Sequence, residues 1–166
     1  MKKSWIIVVI SSTLLVLDIW LKAFTHGHIP VMSAFFPCFP YGGVAVFHDW
    51  FGVDFSLNHV INHGAAWGVF REYSKLLLIL RIAMILGLGA YLFFYNKKAE
   101  NKLPLALILT GAFANVLDYF LYGHVVDMFH FNFWGYSFAI FNIADAMICC
   151  GVGLLLLNPW LVKKFS

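Results

Sequence analysis

Residues 103–121 read LPLALILTGAFANVLDYFL, and this run decides the architecture. Asp118 is its one charged residue. As a helix it is long enough to cross a bilayer core, which takes roughly 20 apolar residues. Gly123-His-Val-Val-Asp127 follows it closely, and a later apolar run contains Phe141-Asn-Ile-Ala-Asp145. A carboxylate kept at membrane depth marks a functional site. Two of them, Asp127 and Asp145, brought together by neighbouring helices, suggest a shared proton and hydrolysis.

Working outward, three further stretches are apolar enough to span: Trp5 to Phe24, Lys75 to Tyr95, and Phe138 to Asn158. The chain is 62% hydrophobic and 11% charged, against about 25% charged in a soluble domain. The expected fold class is therefore an all-α membrane protein of four transmembrane helices, a single integral membrane domain over 1–166. The net charge of +3 comes from lysines clustered at helix ends. They form no stripe, so nucleic acid is not an expected partner. Cys149 and Cys150 lie in an apolar run and Cys38 outside it, which gives no disulfide framework. Lys2 and Lys3 before the first run resemble the start of a secretory signal peptide. Asp18 and Lys22 interrupt its far end and no small-x-small cleavage site follows, so a retained helix is expected.

Basic residues set the orientation. Lys2 and Lys3 precede the first span, Lys97, Lys98 and Lys102 separate the second and third, and Lys163 and Lys164 follow the fourth. Both termini and the 96–102 turn are expected in the cytoplasm. Segments 25–74 and 122–137 are expected on the other side. Segment 25–74 is too long for a plain connection. Pro30, Pro37, Pro40 and Gly42-Gly43 oppose helix in its first half. Val53-Asp-Phe-Ser-Leu-Asn-His59 alternates like a half-buried strand. Phe35, Phe36, Trp50 and Phe51 suit a membrane interface. A small β-structured extracytoplasmic cap is the expectation.

At about 1.5 Å per helical residue, Asp18 falls about 20 Å, and Asp118 about 22 Å, from the inner ends of their spans. Asp145 falls about 10 Å below the outer end of the fourth. With Asp127, these carboxylates gather in the outer third of a core about 30 Å thick. Asn115 and Asn142 fall at similar depth. Blander readings stand beside each. Asp18 and Lys22, four residues apart on one helix face, could simply neutralise each other. Asp118 suits an interfacial helix end. Asn115 and Asn142 suit interhelical hydrogen-bond glue. Asp127 and Asp145 have no cation nearby in sequence. Arg81 either snorkels outward or pairs with an aspartate. His26, His28, His48, His59 and His63 crowd segment 25–74, but His26-x-His28 without Cys or Glu at ligand spacing is weak support for a metal. No metal or other cofactor is expected. His124 and His130 flank Asp127 and could tune its ionisation.

Four blocks resemble the lipoprotein signal peptidases, the signal peptidase II family. They are Leu17-Asp18-Ile-Trp-Leu-Lys22, then Asn62-His-Gly64-Ala65-Ala66-Trp67, then Gly111-Ala-Phe-Ala-Asn115-Val-Leu-Asp118 continuing to Gly123-His-Val-Val-Asp127, and Phe141-Asn142-Ile-Ala144-Asp145. The resemblance implies that Asp127 and Asp145 are catalytic aspartates in the bacterial cytoplasmic (inner) membrane. It implies lipid-modified prolipoprotein substrates, cleaved before a diacylglyceryl-modified cysteine, no metal, and inhibition by globomycin-type peptide antibiotics. Membrane lipids are the remaining partners. Tyr119 stands where the family usually has Arg, Ala114 where it usually has Gly, and Phe138-Ala139 where it usually has Trp-Pro.

Peptide hydrolysis by this pair needs one carboxylate to accept a proton from water while the other donates to the scissile carbonyl oxygen. Asn115 and Asn142 are candidates to orient the dyad or bind substrate backbone, with Asp118 beside them. Asn62 and Gly64 are candidates to hold the peptide extended. Asp18 and Lys22 are expected to be structural. A small proton-coupled transporter also carries intramembrane carboxylates, but along a path and often with inverted repeats. Here they gather on one side and no repeat is visible.

Overall fold

The structure, a computed structural model, describes residues 4–64 and 71–165. In chain order these form α1 (Ser4–His28), β1 (Val44–Trp50), β2 (Val53–Asn62), α2 (Ser74–Ala90), α3 (Lys102–Tyr122), β3 (Val125–Phe133), β4 (Tyr136–Ser137) and α4 (Ile143–Phe165). The chain groups into two compact units, residues 1–18, 78–117 and 143–166 in one, and 19–77 and 118–142 in the other.

The first unit is helical. Helix α3 tolerates Pro104 because the N–H groups of a helix's first turn have no partner within the helix. Its Leu107 and Ala114 pack with Ala144 and Met147 of α4, joined by Leu14 and Leu15 of α1. Helices α3 and α4 approach closely at Gly111, where a Cβ would overlap the Ala144 carbonyl oxygen. Helix α2 buries none of its residues, although it is almost wholly apolar. Such a surface suits lipid, not water. Among the described residues, three helices are long and apolar enough to cross a membrane, Ser4–His28, Ser74–Tyr95 and Ala99–Tyr122; the apolar stretch Ile143–Leu157 is shorter.

The second unit is built on a four-stranded antiparallel sheet ordered β1-β2-β3-β4. Strand β2 covers the alternating stretch expected from the sequence, and segment 29–43 before it is non-helical as its prolines predict. Strand β3 goes beyond the sequence expectation. Segment 122–137 is expected only to lie on the outer side; within it, Val125–Phe133 pair with β2, with Val60 opposite Asp127 and Asn62 opposite Val125. The signal was present: valines and alternating phenylalanines favour a pleated surface, and Trp134-Gly135 makes a turn with positive φ. The fourth span also begins later than expected. Phe138 and Phe141 are held along β3, the Phe138 amide donating to Phe131 O and the Phe141 carbonyl accepting from Met128 and Phe129. Helix α4 therefore starts at Ile143, and Asp145 sits in its first turn rather than well inside a helix.

Candidate active site

Within the second unit, Asp127 is a buried residue of β3, 2% exposed. Its two carboxylate oxygens each accept a side-chain amide. Asn62 Nδ2 donates to Oδ2 at 2.8 Å and Asn142 Nδ2 donates to Oδ1 at 2.8 Å. Asn142 also donates to the Val126 carbonyl at 3.3 Å. Asn62 Oδ1 in turn accepts from the Gly64 amide at 2.8 Å. Asn62 and Gly64 thus form a small turn whose amide is spent on Asp127. Ala65, Ala66 and Trp67 of the same motif lie outside the described residues.

Asp118 is buried in the same unit. It lies 2.7 Å from Lys22 Nζ and accepts the Val126 amide at 3.3 Å. Lys22 is thus a cation for Asp118 in a chain that has Tyr119 beside it. Gly123 ends α3 in a left-handed conformation, φ 78°, with its amide on Tyr119 O at 3.0 Å. That glycine cap turns the chain from helix into β3.

Within the first unit, Asp145 is half-buried in the first turn of α4. A carboxylate is favoured there by the helix N-terminus. Asn115 Nδ2 donates to Asp145 Oδ1 at 2.8 Å, so the interhelical glue holds a candidate catalytic group. Asp18 Oδ1 accepts the Ala144 amide at 2.9 Å. One of the first amides of α4, which have no partner in their own helix, is thereby satisfied by a side chain of α1.

The histidines sort differently from the sequence expectation. His28 Nδ1 contacts Phe24 O at 3.0 Å and its ring stacks on Phe24. His26 instead groups with His59 and His124, the nearest ring nitrogens all within 4.8 Å of one another. Burial holds the His59, His124 and His130 rings below their ordinary pKa. The Asp49 amide, then the neighbouring His48, hold Asp54 below the ordinary carboxylate range despite partial desolvation. His130 meets Ser137 Oγ at 2.8 Å. It stands an odd number of residues from Asp127 on β3, so the two side chains leave opposite faces of the strand.

The family model described as signal peptidase (SPase) II matches residues 10–161. The chain belongs to the signal peptidase II family. It is thereby a peptidase, and its apolar helices make it a membrane protein. A lipoprotein signal peptidase of Chlamydia pneumoniae is 45% identical over 119 residues, covering 70% of this chain and 71% of that protein. One from Chlamydia felis is 40% identical, covering 63% of this chain and 64% of that protein. Among solved structures, a bacterial membrane enzyme determined by the in meso method at 2.3 Å resolution shares the fold, with a TM-score of 0.75 and 24% identity over 98% of this chain and 91% of that one. A second, at 1.9 Å, gives a TM-score of 0.72 and 22% identity over 93% and 92%.

The sequence named the polar residues around Asp127 and Asp145 but not their partners. Asn62 to Asp127 spans 65 positions and Asp18 to Ala144 spans 126. Only the strand pairing and the helix packing bring such residues together.

Proposed function

We propose that this chain is a membrane aspartic endopeptidase that removes the signal peptide from lipid-modified prolipoproteins, cleaving before the diacylglyceryl-modified cysteine. The observation that carries the reading is the seating of Asp127, a buried carboxylate held at both oxygens by Asn62 and Asn142. Asn142 precedes Asp145 by three residues, and Asp145 has its own amide donor in Asn115. Asparagines held this way fix carboxylate orientation, which proton transfer in the transition state requires.

In the proposed reaction Asp127 and Asp145 share one proton. Two nearby carboxyls do not both ionise readily, so the pair titrates as a unit. The ionised member takes a proton from water as the water oxygen attacks the scissile carbonyl. The protonated member gives its proton to the carbonyl oxygen. Collapse of the tetrahedral diol breaks the C–N bond and a proton passes to the leaving amine. The step uses no metal. Asp118, Asn115 and Asn142 position the dyad, Asn62 and Gly64 guide the peptide, and Asp18 and Lys22 are structural.

The proposed setting is the bacterial inner membrane, one domain with four spans, both termini in the cytoplasm and the sheet as an extracytoplasmic cap. Acyl chains of the substrate then stay among the membrane lipids while its peptide enters from outside. Globomycin-type peptides would compete there. Turnover of lipidated prolipoprotein by Asp127→Asn and Asp145→Asn tests the reading. Near-normal cleavage by either variant overturns it.

A further inference from the structure

We propose that His26, His59 and His124 form a binding site for a divalent transition metal of the zinc class. The three residues come from separate pieces of the second unit: the end of α1, the middle of β2, and the turn before β3. The ring centroids of His26 lie 5.3 Å from His59 and 5.9 Å from His124. One ring nitrogen from each falls within 4.8 Å of the others. In a tetrahedral zinc site with Zn–N near 2.0–2.1 Å, ligand nitrogens stand about 3.4 Å apart. The His26 ring is exposed and is the freest of the three to rotate toward a bound ion.

Two features distinguish this group from a casual stack of rings. His59 and His124 are 3% and 8% exposed, and the Nε2 atom of each is buried without a hydrogen-bond partner. Buried polar atoms are nearly always satisfied. Second, the other side of the His59 ring is fixed, with Nδ1 3.0 Å from Ile29 O. A carbonyl only accepts, so Nδ1 carries the proton and Nε2 presents its lone pair. A main-chain carbonyl on the far nitrogen is a common way of orienting a metal-bound histidine. His124 has a comparable main-chain contact at Tyr122.

Imidazole nitrogens without a thiolate suit zinc, nickel or copper, not magnesium or calcium, which take oxygen ligands. Three protein ligands leave a fourth position for water or for His63, whose ring centroid is 5.7 Å from that of His124. His59 stands three residues before Asn62 and His124 three before Asp127. A bound ion therefore clasps α1 to the two strands that carry Asn62 and Asp127, whose side chains are hydrogen-bonded at 2.8 Å. It has no part in the hydrolytic step, and the site stands whether or not Asp127 is catalytic.

The test uses the untagged full chain in detergent, stripped with a chelator and then titrated with Co²⁺. One Co²⁺ per chain is expected, with a visible absorption band that Zn²⁺ displaces, and Zn²⁺ alone should raise the melting temperature. His26→Ala and His124→Gln should each weaken Co²⁺ binding by more than about tenfold, because even a second-shell partner is worth 10–100-fold. His28→Ala should bind as the parent does. The His26 side chain is exposed, so His26→Ala should fold, and its metal-free melting temperature verifies this. Absence of saturable binding, or binding that survives His26→Ala, overturns the proposal.

Discussion

Lys22 Nζ lies 2.7 Å from Asp118 Oδ2, and both side chains are buried. The pair joins α1 to the end of α3. Asp118 also accepts the Val126 amide, so the pair extends to the residue before Asp127. Removing one partner of a buried ion pair strands the other charge, at a cost of about 3–5 kcal/mol. Lys22→Met and Asp118→Asn should each lower the thermal unfolding midpoint in detergent. The double variant should recover part of the loss, because no charge is then left without its counterpart. Additive losses would show that the two residues act separately.

Asp127→Asn and Asp145→Asn should insert normally and lose cleavage. Positioned acid–base groups contribute roughly 10²–10⁴-fold, and at least that loss is expected in single-turnover cleavage of lipidated prolipoprotein. Both proteins should keep the parent's melting temperature within a few degrees.

Asn142→Ala and Asn115→Ala test the seating of each carboxylate. A hydrogen bond to a charged group is worth about 1.5–3 kcal/mol, or roughly 10–100-fold in rate. If the asparagines orient the dyad, the loss falls on kcat with KM little changed. A rise in KM at constant kcat would make them substrate ligands instead.

The helices and the candidate aspartates were legible in the sequence because both signals are local. Apolar length marks a span, and a carboxylate within it or just beyond it stands out. Strand β3 was obscured by its neighbours. Val125 to Phe133 is apolar on both faces at its start, with Val125, Val126 and Met128 all buried, so the alternation that marked Val53 to His59 is muted there. Helix α4 starts at Ile143, later than apolar length alone implies, for a related reason. Phe138 to Phe141 is as apolar as a helix, and only its pairing with β3 shows it to be extended. The pairing of Lys22 with Asp118 was equally hidden, because the local reading offered Asp18 four residues away.

His130 makes the sheet sensitive to acid. Its burial holds its pKa below the ordinary 6.5, with Asp54 opposing weakly. Above about pH 6.5 the ring is neutral in both folded and unfolded chains, and its contribution to stability is complete. As pH falls from there, the unfolded chain takes up the proton first and stability declines until the folded-state pKa is passed. His130→Gln should flatten this part of the pH dependence of the melting temperature between pH 8 and 5. An unchanged slope would exclude His130 as its source.

Gly111 fixes how closely α3 and α4 approach beside the bond between Asn115 and Asp145. A Cβ there would overlap Ala144 O and come within 2.9 Å of Ile148 Cγ1. Replacing a mid-helix glycine by alanine ordinarily gains roughly 0.5–1 kcal/mol. Overpacking costs about 1–3 kcal/mol, and the obstructing atom is main chain, which no rotamer change can move aside. The clash should therefore win, so that Gly111→Ala lowers both the melting temperature and the cleavage rate. Gly87 of α2 has nothing within 4 Å of its would-be Cβ, so Gly87→Ala should leave both unchanged or slightly raise stability. If Gly111→Ala behaves like Gly87→Ala, the close approach at Ala144 does not constrain the seat of Asp145.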